Sequence, residues 1–119
     1  MNIKPRIQSI KCACRGIQKV LINEPNARIH LFLAIIALAL GIVLRISRTE
    51  WLIIVLCIGG VISTEAMNSA VEKLIDIISP EHNENAGLVK DMAASAVLVM
   101  ALAALSAGLI IFIPHIHGL

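Results

Sequence analysis

The sequence predicts an all-α membrane protein: an amphipathic surface helix followed by three transmembrane helices, in one domain covering residues 1–119. Hydrophobic residues make up 58% of the chain and the mean hydropathy is +0.88, outside the range of soluble globular domains. The apolar residues fall into three long runs separated by short polar segments. Aromatic residues are only 3% and Tyr is absent, which argues against a transmembrane barrel with aromatic girdles.

The first element is expected over about residues 5–23. Ile7, Ile10, Cys14, Ile17 and Leu21 recur at spacings of three and four with Lys and Arg between them, a pattern suited to lying on an anionic membrane surface. Lys4, Arg6, Lys11, Arg15, Lys19 and Arg28 all precede the first apolar run, so the N-terminus is expected on the cytoplasmic side. No secretory signal is expected, because residues 1–28 contain no adequate apolar core with a cleavage site after it. A net charge of +2 gives no ground for a nucleic-acid partner.

Asn23-Glu24-Pro25-Asn26 breaks the helix, because proline disfavours helix in the residue before it, and a new helix starts near Pro25 or Asn26. The first span is predicted over about residues 29–46, with His30 as an interfacial residue at the cytoplasmic end and Arg45 snorkelling at the other. Ser47-Arg48-Thr49-Glu50 reads as a short outer loop and Trp51 as an interfacial anchor. The second span, about 51–78, is roughly 42 Å of helix against a hydrocarbon core of about 30 Å, so it overshoots the bilayer.

Ser79 to Gly87 reads as a polar cytosolic loop, and the third span is predicted over about 88–113. Its many Ala and Gly residues permit close helix approach. Pro114 is expected to end it, leaving His115 and His117 in an outer tail. Cys12, Cys14 and Cys57 are odd in number and lack C-x-x-C spacing, so they read as reduced thiols.

The candidate site lies on the overlong second span. Glu65, Asn68, Glu72 and Asp76 fall within about a quarter-turn of its surface, a polar stripe on an apolar rod. Counted from Trp51, Glu65 is about 21 Å in and Glu72 about 32 Å, so the first stays within the membrane and the second reaches its cytoplasmic boundary. A carboxylate in hydrocarbon is a functional hypothesis by default. Glu24, Lys90 and Asp91 belong at the same boundary, and clustered carboxylates with a lysine suit a magnesium nucleotide. Glu65 is placed to act as general base toward a lipid hydroxyl. The P-loop and dinucleotide motifs are absent, so an ATP site here is not built on a standard nucleotide fold.

These residues resemble the small prokaryotic diacylglycerol kinase family, which also contains undecaprenol kinases. The resemblance is carried by Glu65-Ala-Met-Asn68-Ser69-Ala70-Val71-Glu72 with Asp76, by Lys90-Asp91-Met92-Ala93-Ala94-Ser95-Ala96-Val97-Leu98, and by Asn23-Glu24 with Arg28. It implies a homotrimer with active sites shared between subunits, and ATP-dependent phosphorylation of a lipid hydroxyl. By matched position, Glu65 is the base, and Glu24 and Glu72 hold Mg2+ with the nucleotide. Lys90 and Asp91 contact phosphates, and Glu81, His82 and Asn83 lie near the nucleotide. Arg28, Asn68, Asp76 and Ala94 support the site or the substrate. Cys12 and Cys14 depart from relatives that carry aromatics there.

The expected activity is diacylglycerol kinase, with undecaprenol as the alternative acceptor, in a bacterial inner membrane. Arg28-Ile29-His30 and Glu50-Trp51 look more like the undecaprenol-kinase side of the family. A small proton-coupled transporter using Glu65 as its switch is a reading from a different class, as is a non-catalytic subunit whose polar stripe only joins helices.

Overall fold

The computed structural model describes residues 2–118. Its order is α1 (Lys4–Asn23), α2 (Pro25–Leu44), α3 (Arg48–Ile78) and α4 (Glu84–His117). The last three are long and apolar enough to cross a membrane.

Pro25 opens α2 at a position where its missing N–H costs nothing, and Glu24 is the extended joint before it. Helix α2 stops at Leu44, short of the predicted end, because Arg45 adopts a left-handed backbone (φ 52°). The Ile46 N–H then reaches the Gly41 carbonyl at 3.2 Å, and the chain reverses. Arg45 is thus a turn residue that ends the helix.

The expected outer loop is largely the first turn of α3. Ser47 caps the helix, its Oγ accepting from the Glu50 N–H at 3.2 Å while Glu50 Oε1 accepts from the Ser47 N–H at 2.9 Å. This is a capping box, and its S-x-x-E signature stands in the sequence. The polar loop after α3 is likewise shorter than expected: Asn83 Oδ1 accepts from the Ala86 N–H at 2.8 Å and starts α4 at Glu84.

Pro114 does not end α4, which runs to His117. A proline removes one N–H from the ladder but keeps a helical φ, and the last turn closes through Gly118 N–H to the Pro114 carbonyl at 3.0 Å. That extra turn carries His115 to Glu50, with Nε2 at 3.0 and 3.1 Å from the two carboxylate oxygens.

Helices α3 and α4 form the most extensive antiparallel pair. Contacts at both ends hold its register: Glu50 with His115, and Asp76 Oδ1 with Lys90 Nζ at 2.6 Å. At the α2–α3 turn, Ile46, Ile54, Ile111 and Phe112 form the buried apolar cluster, flanked by Leu40, Leu44, Trp51 and Ile58. The apolar cluster therefore occupies one end of the bundle and the polar stripe the other.

Two glycines separate rigid from adaptable packing. A Cβ at Gly41 would stand 2.6 Å from the Trp51 ring, whereas one at Gly60 would meet the flexible end of Met100 at 2.6 Å. Gly41→Ala is expected to destabilise the fold by about 1–3 kcal/mol, and Gly60→Ala by less than about 0.5 kcal/mol, in thermal unfolding of the detergent-solubilised protein. Equal losses at both positions would refute the distinction.

Candidate functional site

One face of α3 changes character along its length. Ile54, Ile58 and Val61 continue at helical spacing into Glu65, Asn68, Ser69 and Glu72, so the stripe that packs the apolar cluster becomes polar toward the other end. Glu65 is 3% exposed and Ser69 8%. Among the described residues, four buried side-chain atoms lack a hydrogen-bond partner: His30 Nδ1, Glu65 Oε1, Asn68 Oδ1 and Ser69 Oγ. All four lie at this polar end, and unsatisfied buried polar atoms are costly enough to mark a site built for something other than stability.

Glu65 faces α2. His30 Nδ1 stands 2.7 Å from Glu65 Oε1, with the ring N–H out of line for a formed hydrogen bond. An interfacial position alone does not account for this contact. The signal for the contact lay in hairpin arithmetic: His30 is 17 residues before Ser47 (47 − 30) and Glu65 is 18 after it (65 − 47), so an antiparallel α2–α3 hairpin brings them to one depth.

Glu24, half-buried at the α1–α2 joint, borders a groove of about 310 Å³ between α1 and α3. Small residues Gly16, Ala66 and Ala70 leave the space, and Ser69, Lys19 and Lys73 also line it. Arg28 holds the joint, its guanidinium donating to the Ile22 carbonyl at 2.6 Å and to the Leu21 carbonyl at 3.4 Å. A cation on the last carbonyls of a helix is favourable, so Arg28 secures the end of α1.

Glu72 is half-buried and accepts from Asn68 Nδ2 at 3.4 Å. It does not line the groove beside Glu24, because it projects about 100° round α3 from Lys73. Lys90 pairs with exposed Asp76 and joins the ends of α3 and α4. Asp91 and Ala94 are exposed on α4, and Glu81 and His82 are exposed in the connecting loop. Asn83 serves as the α4 cap and donates from Nδ2 to Ser79 Oγ at 2.7 Å.

Among the described residues, no hydrogen bond or ion pair joins Glu24, Glu72, Lys90 and Asp91 to one another. Among the described residues, no three His, Cys, Asp or Glu side chains gather to hold a metal. Magnesium does not need such a cage: one or two carboxylates, phosphate oxygens and waters complete its shell. The described ion pairs engage neither Glu24 nor Glu72. Two carboxylates without a basic partner fit a magnesium ion that arrives with a nucleotide.

Three helices able to cross a membrane, with an apolar cluster at one end and unsatisfied polar groups at the other, define a small helical membrane protein with a buried polar site. Residues 11–112 match the family described as prokaryotic diacylglycerol kinase, and the chain belongs to that family. It is 39% identical over 104 residues to an undecaprenol kinase of Bacillus subtilis (strain 168), covering 87% of this chain and 85% of the relative. It is 31% identical to a diacylglycerol kinase of Haemophilus influenzae, covering 78% and 79% of the two chains. With a diacylglycerol kinase of Escherichia coli (strain K12) the identity is 27%, covering 85% and 83%. The protein is accordingly a bacterial membrane kinase, a phosphotransferase with an alcohol acceptor.

Proposed function

We propose that this protein is an ATP-dependent lipid kinase whose preferred acceptor is undecaprenol, with diacylglycerol the weaker substrate. The observation that carries the chemistry is the buried carboxylate of Glu65, seven residues and about 10 Å along α3 from Glu72. One helix thereby offers a base within the membrane and an anionic metal ligand near its surface. The 39% identity to an undecaprenol kinase, against 31% and 27% to diacylglycerol kinases, supports the acceptor.

In the proposed reaction, Glu65 takes the proton of the lipid hydroxyl as its O–H bond breaks. The oxygen bonds to the γ-phosphorus, and the bond from that phosphorus to the β–γ bridging oxygen breaks as ADP leaves. Glu24 and Glu72 would hold Mg2+ on the nucleotide, and the ion would neutralise charge on the phosphates. Lys90, with two N–H groups left beyond its bond to Asp76, would donate to a phosphate oxygen.

The groove that Glu24 borders is not lined by Glu72, which is compatible with a homotrimer in which neighbouring subunits share each site. The exposed Leu98, Leu102, Leu105 and Leu109 on α4 would then meet lipid or a neighbouring copy. Helix α1, exposed along most of its length, would lie on the cytoplasmic face of the inner membrane with its basic residues toward the headgroups.

The test is transfer from labelled ATP by purified protein to each lipid separately and in competition, with and without Mg2+. Undecaprenol is expected to show the higher kcat/KM, and chelation of Mg2+ to abolish transfer. Label appearing on diacylglycerol alone would reverse the acceptor assignment, and label on neither lipid would overturn the kinase mechanism.

A further inference from the structure

We infer that His30 is a positioning residue for Glu65: its Nδ1–H donates to Glu65 Oε1 and turns the carboxylate so that Oε2 receives the lipid proton. The inference rests on Glu65 being the base, as proposed above. Its starting point is the 2.7 Å separation of Nδ1 and Oε1, two buried atoms that otherwise lack a hydrogen-bond partner.

At that distance the two atoms are within hydrogen-bond reach, and an unprotonated Nδ1 would set its lone pair against the carboxylate. Glu65 acting as base is a carboxylate and accepts only, so the proton of the pair belongs to Nδ1. The ring N–H stands out of line, and the soft second torsion of histidine allows it to align without backbone movement. Once aligned, the bond satisfies both buried atoms and leaves Oε2 as the proton acceptor.

The lining of the adjacent cavity offers no other side-chain donor. The cavity beside the pair, about 10 Å³, is lined from α1 by Ile17, Val20 and Leu21, and from α3 by Ile62 and Ala66 besides Glu65. His30 and Glu65 are its sole titratable lining residues, and α4 contributes no lining side chain. Arg28, two residues before His30 on α2, is occupied by the α1 carbonyls. Helix α1 thus seals one side of the pair with apolar side chains, which strengthens the remaining hydrogen bond.

The test uses full-length H30N, H30Q and H30L, assayed for phosphate transfer from labelled ATP to undecaprenol and diacylglycerol, with wild type and E65Q in parallel. Asparagine places an amide N–H where Nδ1 stands, whereas glutamine reaches toward the Nε2 position and leucine supplies no donor. In H30Q and H30L, kcat is expected to fall about 10- to 100-fold with KM for ATP and lipid within about twofold, and H30N to recover to within about fivefold of wild type.

H30Q at the wild-type rate, H30N as slow as H30Q, or a loss confined to KM would overturn the inference. Should H30L fail to fold, the H30N and H30Q comparison decides alone. An inactive wild type or a fully active E65Q would instead sink the reading of Glu65 as base. An active wild type and inactive E65Q, with H30Q at full rate, would remove His30 only.

Discussion

Replacement of Glu65 by glutamine is expected to lower phosphate transfer by about 10²- to 10⁴-fold while leaving nucleotide affinity unchanged. Glutamine matches the shape of the side chain and can still meet His30, so the fold and the α2–α3 contact should survive. What it removes is the proton acceptor. The nucleotide should be unaffected, because Glu65 is buried against α1 and α2, about 10 Å along the helix axis from Glu72. Isothermal titration of a non-hydrolysable ATP analogue, alongside transfer from labelled ATP, separates the two quantities. Lost nucleotide binding in E65Q would move Glu65 into the nucleotide site, and unchanged transfer would end its role as base.

Glu24→Gln and Glu72→Gln are each expected to abolish Mg2+-dependent transfer, and the two inactive proteins to restore activity when mixed. Each variant removes one of the two carboxylates proposed to hold the ion, and the neutral amide is a far weaker ligand for a hard cation. Restoration is the result that shared sites predict: Glu24 borders the α1–α3 groove, and Glu72 is not among the residues that line it. If each site combines Glu24 of one subunit with Glu72 of the next, equal co-assembly leaves roughly a quarter of the sites intact (one half times one half). Activity near that fraction in co-refolded mixtures supports shared sites. Complete inactivity of the mixtures, with trimers present by native mass spectrometry, would place both carboxylates in one subunit's site.

The main elements were legible because their signals are local. Apolar runs, Pro25 at a helix start and the break at Asn23-Glu24 act within a few residues, and the helices stand where those signals put them. The boundary errors were local too. Ser47 with Glu50 is a capping box and Asn83 is a side-chain cap, and both turned expected loop into helix. Pro114 does not stop α4, because one missing N–H near a helix end does not prevent another turn.

The site was legible as a set of residue types and illegible as a set of partners. Glu65, Asn68 and Glu72 share a stripe because helical periodicity alone places them there. The contacts of Glu65 with His30, Lys90 with Asp76 and Glu50 with His115 depend on how far each hairpin turn sets one helix against the next. Depth alone does not pair Glu24 with Glu72, because depth fixes position along a helix axis and leaves the direction round it open.

By itself the sequence determined that this is a small helical membrane protein with a carboxylate buried in its second span, since composition and period are properties of the chain alone. Its family motif was equally plain, and the match over residues 11–112 agrees with it. Only the tertiary structure decided that the carboxylate is met by a histidine from the preceding helix and sealed by α1. The physical reason is that helix formation is set within a few residues, whereas register and rotation between helices are set by turn geometry and by packing between residues distant in sequence.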